Sequence, residues 1–261
     1  MAAPVPARPA STVMLLRGGA EAMEVLMLGR TKGASFAAGA LVFPGGRVDA
    51  EDAAIAADPA LFGPHGARWA DNPEEAARRV AAIRETFEEA GILLARPHGA
   101  PQDAPPIAAA PAPEPDFATL LRAHRLQLAP DLLVKFAHWI TPVTTPKRFD
   151  THFYLAQAPA GQTAAADGGE TVSALWIEPA AAVAAAQAGT HPIVFPTQMN
   201  LALLDRLATT AEQAMAVALQ RRIVTVTPEL LRITPEGRLI RIPPEAGYGG
   251  PDLLVTNMPS A

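Results

Sequence analysis

Apolar and polar positions change period several times along the chain, and each change predicts an element. Two short apolar runs, 11–16 and 24–28, flank Gly18-Gly19 and predict antiparallel strands joined by a turn. Residues 40–43 predict a third strand, stopped by the tight bend Pro44-Gly45-Gly46. A helical period then takes over. Between 73 and 90, Val80, Ile83 and Phe87 recur at i, i+3 and i+7 and form one apolar stripe. Asn72 suits the N-cap, Pro73 the first helical position, and Glu75 can reach back as in a capping box. Gly91 suits a left-handed end.

Further on, 92–95 predicts a strand, 117–128 a helix and 132–136 a short helix or turn. Strands are expected at 137–140, at 148–156 in the centre of a sheet, and at 174–177. Helices follow at 179–188, at 198–207 capped by Thr197, and at 211–220. Late strands fall at 223–227 and 239–242, with Pro235-Glu236-Gly237 as a hairpin turn. Residues 1–10 read as a disordered leader. The stretches 50–71 and 97–115 carry repeated Pro and Gly and predict irregular insertions, the second insertion reaching to about 130. One domain over 11–205 and a C-terminal extension over 206–261, packed on it, account for the chain.

The helix at 73–90 stands out chemically. Glu85, Glu88 and Glu89 lie at i, i+3 and i+4 and share a face. Like charges at this spacing repel by roughly 0.2–0.5 kcal/mol per pair. They also sit at the C-terminal end, where the helix dipole disfavours carboxylates. A hard divalent cation with oxygen ligands would offset both costs. The plainer alternative is a solvated acidic face, with Arg84 and Glu88 forming an ordinary i, i+4 ion pair.

Composition narrows the class. The chain has 261 residues, net charge −5 and no cysteine. A core of useful size is possible, thiol catalysis and cysteine-ligated metals are excluded, and a general nucleic-acid or anionic-membrane binder is disfavoured. No apolar run approaches a membrane span, so a cytoplasmic location is expected.

Gly45-Gly46 followed by Arg84-Glu85-Thr86-Phe87-Glu88-Glu89-Ala90-Gly91-Ile92 resembles the box of the Nudix hydrolases. Thr86 stands where an aliphatic residue is usual. The glycine-to-arginine spacing is 84 − 46 = 38 against a usual 14, and the family's separate glutamate, counted back from Arg84, falls on Ala76, so that role is absent or supplied elsewhere. Leu26 to Thr31, Phe36, Gly39 and Val42 to Gly46 resemble the upstream motif of coenzyme A diphosphatases, although Ser35 occupies a slot where that motif often carries arginine. The long insertion and Arg148-Phe149-Asp150-Thr151 are similar to the peroxisomal-type acyl-CoA branch and its bacterial relatives.

The resemblance implies an α/β/α sandwich with a mixed sheet between helices. It implies metal-dependent hydrolysis of a nucleoside diphosphate derivative, with Mg2+ or Mn2+ held by Glu85, Glu88, Glu89 and the Gly46 carbonyl. Arg84 would orient a carboxylate, and Glu170 is a candidate for an extra acid. Arg30, Lys32, Gly45, Lys147 and Arg148 are candidates for substrate contacts. His124 reads as a surface or packing residue, and His152 as packed beside the sheet. CoA or acyl-CoA is the expected substrate; ADP-ribose, NADH or a non-catalytic nucleotide-binding module are the alternatives.

Overall fold

The computed structural model describes residues 5–19, 22–31, 33, 37–69, 72–250 and 252–255. Lys32, Ser35 and Phe36 therefore lie outside the described residues. Strands β1 (Arg8–Gly18), β2 (Met23–Arg30), β3 (Leu41–Val42) and β4 (Gly45–Arg47) come first, followed by helices α1 (Ala50–Ala57), α2 (Pro59–Phe62) and α3 (Pro73–Ala90). A small ribbon of β5 (Ala95–Pro97) and β6 (Leu126–Leu128) brackets α4 (Phe117–Ala123). Next come β7 (Val134–Ile140), β8 (Phe149–Gln157) and β9 (Thr171–Ile177), then α5 (Pro179–Gln187), α6 (Phe195–Leu207) and α7 (Ala211–Gln220). The chain ends in β10 (Thr225–Val226), β11 (Glu229–Thr234), β12 (Gly237–Arg241) and β13 (Asp252–Val255).

Eight strands form one mixed sheet in the order β10-β7-β8-β1-β2-β3, with β4 added to β1 and β9 to β2. β1 runs parallel to β8 and antiparallel to β2 and β4. Side chains alternate along β1. Val13 and Leu15 enter a core with Val80, Ile83 and Phe87 of α3. Met14 and Leu16 enter a second core with Ala182, Leu201, Leu204, Ala214 and Ala218 of α5, α6 and α7. The expected sandwich of a mixed sheet between helices is therefore the observed one.

Several local expectations change. β1 begins at Arg8, so the end of the supposed leader belongs to the sheet, pairing Arg8 with Phe149. The insertion at 50–69 is mostly helical, because Asp49 and Asp58 start helices that pack on α3 through Ile55, Leu61 and Phe62. The helix expected over 117–128 stops at Ala123; Arg125 takes a positive φ of 52° and the chain turns back into β6. Of the strand expected at 92–95, only Ala95 lies in one, as the start of β5. β7 begins at Val134, inside the expected short helix or turn. A three-stranded sheet, β11-β12-β13, occupies the C-terminal stretch. Within 206–255, Ala211, Val226, Ile240 and Tyr248 share the second core with α6. Among the described residues no helix is long and apolar enough to cross a membrane.

Candidate active site

α3 places the site because its two ends are fixed independently. Asn72 accepts a hydrogen bond from the Glu75 N–H at 3.1 Å, and Gly91 closes the helix at φ 69°. Thr86 departs from the aliphatic pattern without leaving a buried polar group unpaired. Its hydroxyl is fully buried and donates to the Ala82 carbonyl at 2.7 Å. The last turn of α3 then lies against β4. Gly45 donates its N–H to Glu89 Oε2 at 2.9 Å. A Cβ on Gly46 would fall on the carboxylate of Glu85, so only glycine permits this approach. A Cβ on Gly45 would meet the backbone of Ser11 and Thr12.

Arg84 is the hub. Its guanidinium grips Asp52 in a fork, Nε to Oδ1 at 2.8 Å and Nη2 to Oδ2 at 3.0 Å. Nη1 donates to Glu85 and to Glu88, each at 2.9 Å, and Nη2 donates to the Arg47 carbonyl at 3.1 Å. Burial alone would lower the Arg84 pKa, but Asp52, Glu85 and Glu88 outweigh it and the pKa rises. Asp52 is fully buried and also accepts from the Asp49 N–H at 2.8 Å.

Asp52 places an acid beside Arg84 where the position counted back to, Ala76, has none. Counting back from Arg84 places the family's separate acid on Ala76, which is buried in the apolar core. Counting forward from Gly46 by the same spacing, 14 − 8 = 6, reaches Asp52. The insertion lies between this acid and the arginine, so only the forward count finds it.

The carboxylates are electrostatically strained. Burial raises the Glu89 pKa to about 7; the Gly45 N–H opposes this, and the charge on Glu85 adds to it. Burial also raises Glu85, against the pull of Arg84. Glu88 is half-exposed. Arg30 lies between Glu89 (Nη1 to Oε1, 3.5 Å) and Glu170 (Nη2 to Oε2, 2.9 Å), and its buried Nε has no partner among the described residues. Thr171 ties the next strand to α3 by donating to the Glu89 carbonyl at 3.2 Å.

The structure thus brings together Arg84, Glu85, Glu88, Glu89, Gly45, Gly46, Arg30 and Glu170. Two substrate candidates have protein partners of their own. Gly45 gives its N–H to Glu89. Arg148 donates to the carbonyls of Thr141 and Val5, at 3.0 and 2.6 Å, where it ties the start of β8 to β7 and the N-terminal segment. Glu75 makes no reach-back to its cap; it bonds Arg79, Lys135 and Tyr154. Asp52 was the residue missed, although Asp49-x-x-Asp52 is a helix-start pattern.

The donor set fits a hard divalent cation. Two buried carboxylates one helical turn apart resist full ionisation together, which is the condition a dication relieves. Arg84 holds the carboxylate of Glu85, and Gly45 and Arg30 hold that of Glu89. Among the described residues the three-residue group of potential metal ligands within 4.8 Å of one another is His138, Asp150 and His152 instead.

A mixed sheet between helices, with acids on the helix that follows a Gly-Gly bend, defines the Nudix fold. The family model described as NUDT19 Nudix domain matches residues 56–202, more than half of the chain, and the chain belongs to that family. A crystal structure of a NUDIX hydrolase from Alicyclobacillus acidocaldarius is 32% identical, with a TM-score of 0.70 over 82% of this chain and 97% of that one. Acyl-coenzyme A diphosphatase NUDT19 from Homo sapiens is 33% identical over 210 residues, 62% of this chain and 55% of the relative. The Gallus gallus protein of the same name is 33% identical over 208 residues, 61% and 55% respectively. The chain spans about half the length of these curated relatives.

Proposed function

We propose that this protein is a metal-dependent diphosphatase. Its substrate in this proposal is CoA or acyl-CoA, cleaved by water to 3′,5′-ADP and (acyl-)4′-phosphopantetheine. The observation that carries the chemistry is the approach of Glu85 and Glu89 to Gly45-Gly46, made possible by the missing Cβ of Gly46 and by the Asp52–Arg84 fork. Support for the substrate comes from relatives named acyl-coenzyme A diphosphatase.

Glu85 and Glu89 are the proposed direct ligands of Mg2+ or Mn2+, with Glu88 and the Gly46 carbonyl as further ligands. Such an ion neutralises diphosphate charge and lowers the pKa of bound water. Arg84 holds Glu85 and Glu88 in place. The unpartnered Nε of Arg30 is suited to a phosphate oxygen. Glu170 is exposed at the rim, anchored to Arg30, and is the proposed proton acceptor; Glu170→Gln lowers kcat more than KM, and an unchanged kcat removes that role.

The test is Mg2+- or Mn2+-dependent turnover of CoA, acyl-CoA, NADH and ADP-ribose by the folded protein. Preferred hydrolysis of CoA or acyl-CoA is the expected result. Preference for NADH or ADP-ribose replaces the substrate but keeps the chemistry. No turnover of any of the four leaves a nucleotide-binding module.

A further inference from the structure

We propose a second metal site, for a dication of the zinc and cobalt class, formed by His138, Asp150 and His152. The β7–β8 register sets His138 opposite His152, and Asp150 lies two residues before His152 on the same face. The two imidazoles meet edge to face with centroids 4.4 Å apart. One donor atom from each of the three residues lies within 4.8 Å of the other two. His138 Nε2 and Asp150 Oδ1 are 2.5 Å apart.

The surroundings are arranged as they are around ligated metals. In such sites the imidazole nitrogen that does not bind metal is held by an oxygen, which fixes the tautomer, and ligating carboxylates are themselves hydrogen-bonded. Here His138 Nδ1 meets Thr225 Oγ1 at 2.8 Å, and His152 Nδ1 meets Glu75 Oε2 at 3.2 Å. Asp150 Oδ2 accepts from Arg78 Nη2 at 2.7 Å, leaving Oδ1 toward His138. Residues from outside the trio thus orient all three ligands. A separate observation points the same way. Ser11 is fully buried beside His152 in the β1–β8 register, and its hydroxyl has no partner among the described residues.

Local charge selects the metal. Among the described residues Arg78, Arg79 and Lys135 pair with two carboxylates, Asp150 and Glu75. With neutral imidazoles the surroundings already carry one excess positive charge. That opposes Mg2+, which is held by oxygen and charge, and favours an ion held by imidazole donor strength. The side chains of His138, Asp150 and His152 are 19%, 26% and 12% exposed, so solvent can complete the shell. The site is distinct from Glu85, Glu88 and Glu89 at the other end of α3. Gly46 pairs with Ser11, and Ser11 with His152, which separates the two by two strand spacings, about 10 Å.

The probe is Co2+ added to the full chain stripped of metal. The expected result is a visible absorption of the intensity typical of low-coordinate, nitrogen-ligated Co2+, displaced by Zn2+ and unchanged in Glu89→Gln. His138→Ala and Asp150→Asn abolish it while circular dichroism and melting show a folded chain. Thr225→Val, at an exposed position, weakens Co2+ affinity by about 10–100-fold. A spectrum that is absent in wild type, survives in folded His138→Ala, or disappears in Glu89→Gln overturns the proposal. Should both ligand variants fail to fold, an unchanged affinity in Thr225→Val overturns it.

Discussion

Glu89→Gln removes a pH dependence that the metal-free protein should show. The Glu89 side chain is 8% exposed, and burial raises its pKa from 4.5 to about 7. Below pH 4.5 the carboxyl holds its proton in both folded and unfolded chains, and the stability it contributes is fully present. Between 4.5 and about 7 the folded state keeps the proton that the unfolded chain has released, so stability falls as pH rises. Above pH 7 the loss is complete. At about 1.36 kcal/mol per pH unit, the difference between 4.5 and about 7 is roughly 3 kcal/mol. The glutamine side chain of the variant has no such proton, and its amide oxygen can still accept from Gly45. Urea denaturation in EDTA, from pH 4.5 to 8, measures the difference between wild type and variant. The variant should gain roughly 3 kcal/mol on wild type across that range. Parallel stability curves for the two proteins would refute a Glu89 held protonated by burial.

Asp52→Asn removes the charge from the buried fork and leaves Arg84 paired only with Glu85 and the half-exposed Glu88, so denaturation should show a loss of about 3 kcal/mol. Gly46→Ala places a methyl group on the Glu85 carboxylate, and Mg2+-dependent kcat should fall about 100-fold or more in a chain with unchanged circular dichroism; an unaffected kcat removes Gly46 from the site. Glu75 behaves in the opposite sense to Glu89. Burial would raise its pKa, but His152 and Lys135 lower it from 4.5 to about 2, so its contribution is present above 4.5 and lost as pH falls toward 2. Acid titration of Glu75→Gln should lack a loss of up to roughly 3 kcal/mol that wild type shows.

What was legible in the sequence follows from how local each signal is. α3 was readable end to end, since Asn72, Pro73 and Gly91 are caps that act within one turn, and its acids fall on one face by helical period alone. The sheet order was not readable, because β1 joins β8 across more than 100 residues and only main-chain bonds record the pairing. Asp52 escaped because its partner Arg84 is 32 residues away and the intervening Pro and Gly suggested a loop. Those same residues, Asp58-Pro59 and Gly63, in fact start and stop a short helix. The charge of Arg148 suits a phosphate, and a strand-end arginine is equally suited to unpaired carbonyls; in the fold it takes those of Thr141 and Val5. His152 reads as packing in the sequence because a single histidine in a strand carries no pattern. Its three partners come from β7, β8 and α3, which no linear spacing connects.

The most direct test of the central claim is hydrolysis of acyl-CoA with the products identified by mass. Wild type should release 3′,5′-ADP and acyl-4′-phosphopantetheine with Mg2+ and none in EDTA. Glu85→Gln and Glu89→Gln should each lose about 100-fold or more in rate while remaining folded. Undiminished turnover in EDTA, or a Glu89→Gln protein with the wild-type rate, would contradict the account.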